Sequence, residues 1–139
     1  MLDPVRIRDM AERYTAAWCS RDAKSVAAFY SQSGSLRVNT GAPAMGRIAI
    51  AAVAQGFMTE FPDLELVMDD LLVEDERAFY HWTLTGTNAG PGRNSRKVRI
   101  SGFEEWRMGP DGLIAASQGS FDSAEYQRQL NSTVGGSRG

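Results

Sequence analysis

The spacing of apolar residues changes at Pro62, and this change constrains the fold more than any other feature of the sequence. Before Pro62, apolar side chains recur every three or four residues, which is the period of a helix that buries one side. After Pro62 they alternate with polar residues, which is the period of a strand with one buried face. The sequence therefore predicts an α+β domain, with helices first and then an antiparallel sheet on which they pack.

Three helices are predicted in the first half of the chain. Asp3 and Pro4 form a helix start, and a second, short helix begins at Asp22. Pro62 ends the third helix because proline cannot continue a helical hydrogen-bond ladder. The inward positions of these helices are Ile7, Met10, Ala11, Tyr14, Ala17 and Trp18, then Val26, Phe29 and Tyr30, then Ile50, Ala54, Phe57, Met58 and Phe61. Residues 31–34 break the second helix, residues 35–39 form a short strand, and residues 40–46 form a loop.

Four further strands are predicted over residues 64–73, 78–88, 96–108 and 113–122. Turn signals rich in charge, glycine or proline separate them at residues 74–77, 89–94 and 109–112. A last helical segment begins at Ser123 and runs through Leu130. We expect one domain over residues 1–130 and a flexible Gly/Ser-rich tail over residues 131–139.

Composition excludes several classes of function. The formal net charge of −2 gives no basic surface for nucleic acid, and no apolar run reaches the roughly 20 residues of a membrane span. The first residues lack the apolar core of a signal peptide, so we expect a cytoplasmic protein. One cysteine and one histidine provide no disulfide and no zinc cluster. We expect neither a cofactor nor a bound metal.

Glu104 is the one ionisable residue in the apolar row of the longest predicted strand. The row consists of Val98, Ile100, Gly102, Glu104, Trp106 and Met108. The opposite row carries three charged side chains, so the row with Glu104 must face the core. Burying an unpaired carboxylate costs several kcal/mol or more. Glu104 is therefore either a functional group or a carboxylate held by a hydrogen bond, for example from Tyr14.

The neighbouring strands place other polar residues near the predicted pocket. Tyr80, Trp82, Leu84, Gly86 and Asn88 share the inner face of one strand, which leaves His81 on the outer face. Counting from Ile114 puts Gln118 on the same face as Glu104, although Gln118 also fits a solvated sheet edge. The aromatic residues Tyr14, Trp18, Phe29, Tyr30, Phe57, Phe61, Trp82 and Trp106 fall on inward faces. Most of these rings form the core, and several rings around one carboxyl also describe a small-molecule pocket.

Three segments resemble the nuclear transport factor 2-like superfamily, and in particular its SnoaL-like branch, named for polyketide cyclases. They are RYTAAWCSRDAKSVAAFY, WTLTGTNAGP and VRISGFEEWRMGPDGLIAASQGSFD, and the resemblance covers nearly all of residues 5–130. It implies a cone-shaped fold in which a strongly curved, mainly antiparallel sheet wraps around the helices. It also implies a homodimer through the outer sheet face, where Phe79, His81 and a row of threonines lie.

The resemblance further implies roles for individual residues. Glu104 stands where SnoaL-like cyclases keep an aspartate that acts as general acid/base in an intramolecular aldol closure. Asn88 replaces a histidine that is common in the family, and it donates hydrogen bonds but does not transfer protons. Tyr14 and Glu104 also match two groups of ketosteroid isomerase that polarise a carbonyl. The position of the isomerase base falls at Val38 or Asn39, and neither residue abstracts protons.

We therefore expect a protein that binds a small hydrophobic molecule in a pocket. If it is a cyclase or isomerase, Glu104, Tyr14 and Asn88 are its catalytic residues. Trp18, Tyr30, Phe57, Phe61, Trp82, Trp106 and Gln118 would then contact the substrate. The alternatives are a non-catalytic ligand-binding or dimeric accessory domain of the same fold, and a protein-recognition domain with an exposed apolar patch.

Overall fold

The computed structural model describes residues 2–89 and 96–130, which form four helices and one six-stranded sheet. The helices are α1 (Pro4–Ser20), α2 (Ala23–Ala27), α3 (Gly46–Glu60) and α4 (Ser123–Leu130). The strands are β1 (Tyr30–Val38), β2 (Ala44–Met45), β3 (Glu65–Glu74), β4 (Arg77–Thr87), β5 (Lys97–Met108) and β6 (Ile114–Phe121). The predicted α+β class is confirmed, with the helices packed against a curved sheet.

The helix starts form as the sequence predicts. The Asp3 carboxylate accepts a hydrogen bond from the Val5 amide at 3.0 Å, and Asp22 accepts one from the Lys24 amide at 3.1 Å. Each bond satisfies an amide that has no partner within its helix. Arg21 then takes a left-handed conformation (φ 60°) and ends α1.

The strand order is β2-β1-β6-β5-β4-β3, and the neighbouring strands are antiparallel except for β1 and β6, which run parallel. The first long strand of the chain therefore lies beside the last one. Two β-bulges interrupt the ladders, at Asp69 between β3 and β4 and at Ala115 between β5 and β6. Bulges bend a strand and increase its twist, which accounts for part of the curvature.

The predicted start of β1 was wrong. Residues 31–34 do not break a helix, because α2 ends at Ala27 and β1 already begins at Tyr30. The register steps from Tyr30 opposite Ile114 to Ser35 opposite Ala116, so the intervening residues lie outside regular pairing. The loop predicted over residues 40–46 contains the short strand β2, which pairs with Ser35 and Leu36. The serine- and glycine-rich first half of β1 and the two residues of β2 lack the alternation on which the prediction depended.

The inner face of the sheet is the one that alternation predicted. Tyr80, Trp82 and Leu84 of β4 are buried, as are Ile100 and Trp106 of β5. His81 lies on the outer face, where its ring centroid is 5.5 Å from that of Phe103. Part of the hairpin loop predicted over residues 89–94 and all of the tail predicted over residues 131–139 lie outside the described residues. In the ranges that are described, no helix is long and apolar enough to cross a membrane.

Candidate functional site

Glu104 occupies the middle of the inner sheet face, with Tyr80 opposite it on β4 and Gly119 opposite it on β6. Only 8% of Glu104 is exposed, which confirms the burial predicted from alternation. A Cβ atom added at Gly119 would lie 3.8 Å from Cγ of Glu104. A larger residue at position 119 would therefore take the space into which the glutamate side chain extends.

Side-chain donors surround one oxygen of the Glu104 carboxylate. Oε1 accepts hydrogen bonds from Nε1 of Trp106 at 2.7 Å, from the Ser117 hydroxyl at 2.9 Å and from the Tyr14 hydroxyl at 3.1 Å. The Tyr30 hydroxyl lies 3.5 Å from the same oxygen. Oε2 accepts only from Tyr14, at 3.2 Å, among the residues that the structure describes. The two carboxylate oxygens are therefore unequally hydrogen-bonded, and Oε2 retains free acceptor capacity.

The two tyrosine hydroxyls form a relay to the carboxylate. The hydroxyl oxygens of Tyr14 and Tyr30 lie 3.0 Å apart, and Tyr14 is the nearer of the two to Glu104. Each phenol has a single hydrogen to donate. When Tyr14 donates to Glu104, the remaining hydrogen between the two phenols comes from Tyr30. Ionised Glu104 therefore orients the Tyr14 hydroxyl towards itself, and Tyr14 in turn accepts from Tyr30.

The pKa values of the three groups respond to burial. Desolvation raises the pKa of the Glu104 carboxyl, and the hydrogen bonds from Trp106, Ser117, Tyr14 and Tyr30 oppose that rise without cancelling it. Burial and the nearby Glu104 charge raise the pKa of both Tyr14 and Tyr30 well above the ordinary value. The phenols therefore remain protonated donors, while the pKa of the Glu104 carboxyl lies above that of an exposed glutamate.

Aromatic packing fixes the donors in place. The Tyr80 and Trp106 rings stack with their centroids 4.9 Å apart. The Tyr14 ring stands edge-on to both, at 5.4 Å from Tyr80 and 5.2 Å from Trp106. All three residues have no exposed surface, so their side chains have little freedom to turn. The donors are thus held in position before any ligand binds.

A cavity of about 60 Å³ lies between the inner face of the sheet and helices α1, α3 and α4, and Glu104 forms part of its wall. The other described lining residues are Trp18, Leu36, Val38, Val53, Phe57, Phe61, Leu66, Trp82, Leu84, Ile100, Gly119, Phe121 and Tyr126. No lysine, arginine or histidine occurs among these described residues. The wall is apolar apart from one carboxyl, one phenol and two indole N–H groups, which suits a neutral and largely hydrophobic ligand.

Four of the predicted substrate-contacting residues line this cavity: Trp18, Phe57, Phe61 and Trp82. Tyr14, Tyr30 and Trp106 do not line it and are instead bound to the Glu104 carboxylate. The structure therefore does not place Tyr30 and Trp106 in the cavity wall, where they were predicted to contact the substrate. Trp106 lies two residues after Glu104 on the same inner face. Its indole N–H donates to the carboxylate, and its ring does not line the cavity.

Gln118 lies on the outer face, so its predicted position beside Glu104 was wrong. The bulge at Ala115 adds one residue to β6 and reverses the alternation after Ile114. Ser117 and Gly119 consequently face inward, while Gln118 faces outward and donates from Nε2 to the carbonyls of Asn39 and Gly119. The alternation counted along a bulged strand gives the wrong face beyond the bulge.

Asn88 is buried at the end of β4, away from Glu104. It follows Tyr80, the residue opposite Glu104, by eight positions. A strand advances about 3.3 Å per residue, which places Asn88 roughly 26 Å along the strand from that point. Asn88 is buried as predicted, but it is not among the described residues that line the cavity.

Several site residues were missed by the sequence reasoning. Ser117 is the most important, because it donates directly to Glu104. Phe121 and Tyr126 close the C-terminal side of the cavity, and their rings contact each other at 5.4 Å. Tyr126 also donates its hydroxyl hydrogen to Glu60 at 3.2 Å and so attaches α4 to the end of α3. The four-residue spacing of Tyr126 and Leu130 is typical of an amphipathic helix, and it is the sequence feature that could have predicted that α4 packs over the cavity.

Comparison with known proteins identifies the family of this chain. Residues 11–117 match the SnoaL-like domain. The chain belongs to the SnoaL-like family. No protein with a curated description matches the sequence of this SnoaL-like chain. Within residues 2–89 and 96–130, no group of three or more His, Cys, Asp or Glu residues is arranged to hold a metal ion.

Solved structures similar to this SnoaL-like chain share its fold at low sequence identity. TsrD from Streptomyces laurentii is 24% identical with a TM-score of 0.82, and the match covers 94% of this chain and 98% of TsrD. A protein from Jannaschia sp. CCS1, assigned as a SnoaL-like polyketide cyclase, is 16% identical with a TM-score of 0.82 over 94% of this chain and 96% of its own. SalBIII, an epoxide hydrolase/cyclase-like enzyme with a role in pyran ring formation in the polyether salinomycin, is 14% identical with a TM-score of 0.77, covering 90% and 97%.

Proposed function

We propose that this SnoaL-like domain binds a small, neutral ketone in its cavity and catalyses a cyclisation or isomerisation, with Glu104 as general acid/base and no cofactor. The observation that carries the proposal is the unequal bonding of the Glu104 carboxylate. Three protein donors lie within 3.1 Å of Oε1, while Oε2 has a single, shared one. A carboxylate held by one oxygen keeps the other available for proton transfer.

The proposed chemistry needs one base and one hydrogen-bond donor. Oε2 of ionised Glu104 removes a proton from the carbon next to the ligand carbonyl, and the C–H electron pair forms the enolate. In a cyclisation, the enolate carbon attacks a second carbonyl of the same ligand, and the new alkoxide receives the proton back from Glu104. In an isomerisation, the proton returns to a different carbon. Either route leaves Glu104 in its starting state.

The raised pKa of Glu104 supports this role. A general base works best when its pKa lies near the working pH, because it then combines a useful ionised fraction with useful basicity. Burial raises the pKa of Glu104 above its ordinary value, which increases its basicity. Tyr14 and Tyr30 keep their protons, so they moderate the charge on Glu104 without competing as bases. The names of the similar structures, which include polyketide cyclases, agree with this reaction class.

The same hydrogen bonds also favour a second candidate, a binding protein without catalysis. Four donor groups around one buried carboxylate describe a polar anchor as well as a base. In this case Glu104 would hold α1, β5 and β6 together, and the ligand would contact the apolar wall only. The two candidates differ in what happens when Glu104 loses its ability to ionise.

Glu104→Gln tests the proposal. The glutamine oxygen can take the place of Oε1 and accept from Trp106 and Ser117, while its amide nitrogen replaces Oε2. We expect the variant to fold and to bind apolar ketones, and to lose turnover by about 100-fold or more. The assay follows exchange of the acidic C–H of 2-tetralone in D₂O by NMR, with wild type and Phe57→Leu as controls. Equal exchange in wild type and Glu104→Gln would favour the binding protein.

A further inference from the structure

Trp82 carries a buried hydrogen-bond donor with no acceptor among the described residues. Its side chain lines the cavity and is 9% exposed, and its Nε1–H has no hydrogen-bond partner. An indole N–H can only donate a hydrogen bond, and its hydrogen is fixed in the plane of the ring. It therefore cannot turn towards another acceptor as a hydroxyl hydrogen can. Buried donors in proteins nearly always have a partner, and an unsatisfied one is destabilising. Such a group in a cavity wall is a candidate for contact with a ligand.

The other two tryptophans of the chain differ from Trp82 in their surroundings. Trp106 donates to Glu104 at 2.7 Å. The Nε1–H of Trp18 also has no hydrogen-bond partner among the described residues, but Trp18 lies on α1. Trp82 is thus the unpartnered indole that shares the inner sheet face with Glu104.

The position of Trp82 is fixed by its strand neighbours. It lies opposite Gly102 in the β4–β5 ladder, and a Cβ atom at Gly102 would be 2.7 Å from Cζ2 of Trp82. The absence of a side chain at Gly102 lets the indole lie close to the backbone of β5. Its other ring contact is with Phe121, at 6.1 Å between centroids. These neighbours give the ring a defined place without offering an acceptor.

Trp82 and Glu104 are close enough to contact one ligand. Trp82 pairs with Gly102, two residues before Glu104, so the two side chains are diagonal neighbours on the inner face. Such neighbours have backbones roughly 7–8 Å apart. Glu104 supplies a proton-transfer group, and most of the other described residues of the wall are apolar. None of the three residues expected to orient an oxygen of the substrate, Tyr14, Asn88 and Gln118, lines this cavity.

We infer that the Nε1–H of Trp82 binds the carbonyl oxygen of a neutral ligand and is the donor that receives charge when the enolate forms. This inference rests on the proposed function, because it names the group that completes the base–donor pair. A ketone accepts a hydrogen bond and needs no cation, which agrees with the absence of Lys, Arg and His from the described wall. A free carboxylate ligand would face Glu104 without any compensating positive charge.

The test compares 1-indanone with indane, which has the same ring skeleton without the oxygen. Binding to wild type, Trp82→Phe and Trp18→Phe is measured by titration calorimetry. We expect wild type to prefer 1-indanone by about five- to tenfold, Trp82→Phe to lose this preference, and Trp18→Phe to keep it. Any effect of the smaller phenylalanine on cavity shape applies to both ligands and cancels in the ratio.

A second readout uses the indole N–H resonances in ¹H–¹⁵N NMR spectra, assigned with the same variants. 1-Indanone should shift the Trp82 Nε1–H signal downfield, and indane should not. If both ligands bind equally and the Trp82 signal does not respond to the ketone, the Trp82 inference is overturned while the apolar cavity stands. If neither ligand binds wild type, the proposed function fails and the inference fails with it.

Discussion

The Ser117 hydroxyl donates to Oε1 of Glu104 at 2.9 Å, although alternation counted from Ile114 would point Ser117 away from the inner face. The bulge at Ala115 makes this contact possible, because it shifts every later residue of β6 to the opposite face. One additional residue in β6 therefore places the Ser117 hydroxyl beside the buried carboxylate and turns Gln118 to the outer face of the sheet.

Removing the Tyr14 hydroxyl should raise the pKa of Glu104 further. Tyr14 donates to both carboxylate oxygens, and losing a charge-assisted hydrogen bond favours the neutral acid. We expect Tyr14→Phe to shift the Glu104 titration midpoint upward by about 1 pH unit, measured by NMR of ¹³C-labelled glutamate carboxyls.

Tyr80→Phe is the matched control for Tyr14→Phe. Tyr80 is equally buried and packs on the same Trp106 ring, but its hydroxyl contacts Thr15 and not Glu104. Its removal should leave the midpoint almost unchanged. Identical midpoints in wild type and Tyr14→Phe would show that the hydroxyl does not stabilise the ionised carboxylate.

The stability of the protein should depend on pH through Glu104. The pKa of this carboxyl is higher in the folded chain than its ordinary value of 4.5, so the folded state binds the proton more tightly than the unfolded state. Its contribution to the free energy of unfolding is therefore largest below pH 4.5 and decreases as pH rises towards the folded-state pKa. The slope for one proton is at most about 1.4 kcal/mol per pH unit.

Urea unfolding of wild type and Glu104→Gln at pH 5 to 8 measures this slope. Other titrating groups affect both proteins, so the difference between the two curves isolates Glu104. We expect wild type to lose stability relative to Glu104→Gln as pH increases. A difference that stays constant, or changes in the opposite direction, would contradict a raised pKa.

Gly102→Ala should destabilise the domain. The added methyl group would collide with the Ser120 carbonyl oxygen and approach Cζ2 of Trp82 to 2.7 Å. We expect a loss of about 2 kcal/mol or more in the free energy of unfolding, together with a changed Trp82 environment. Gly56→Ala in α3 is the control, since nothing lies within 4 Å of its added methyl group, and it should increase stability by about 1 kcal/mol. Equal effects would mean that Gly102 does not constrain Trp82.

The homodimer expected through the outer sheet face stays a prediction. Val67 and Leu72 of β3 are 55% and 49% exposed, and Leu72 lies opposite Phe79 in the ladder. Leu72→Glu should convert a dimer to a monomer in sedimentation equilibrium. Ile48→Glu, at a 91% exposed position on α3, should not. A monomeric wild type at micromolar concentration would contradict the prediction.

The burial of Glu104 was predictable because β4 and β5 alternate without interruption around it. The same reasoning could not find Ser117, since no feature of the segment Ile-Ala-Ala-Ser-Gln announces that Ala115 is extra. It also could not show that Tyr30 and Trp106 bond to the carboxylate instead of lining the cavity. Alternation tells which side of a strand is buried, whereas the choice between lining a cavity and bonding to a carboxylate depends on contacts between distant segments.

The parallel pairing of β1 with β6 has a consequence for how the protein is made. The groups around the Glu104 carboxylate come from residues 14, 30, 106 and 117, so they span most of the chain. Contacts between such remote segments form slowly, because a long loop must close, at a cost in entropy, before the contacts stabilise the fold. On the ribosome, Tyr14 and Tyr30 emerge long before Ser117. The carboxylate therefore gains its full set of hydrogen-bond donors only once β6 has joined the sheet beside β1.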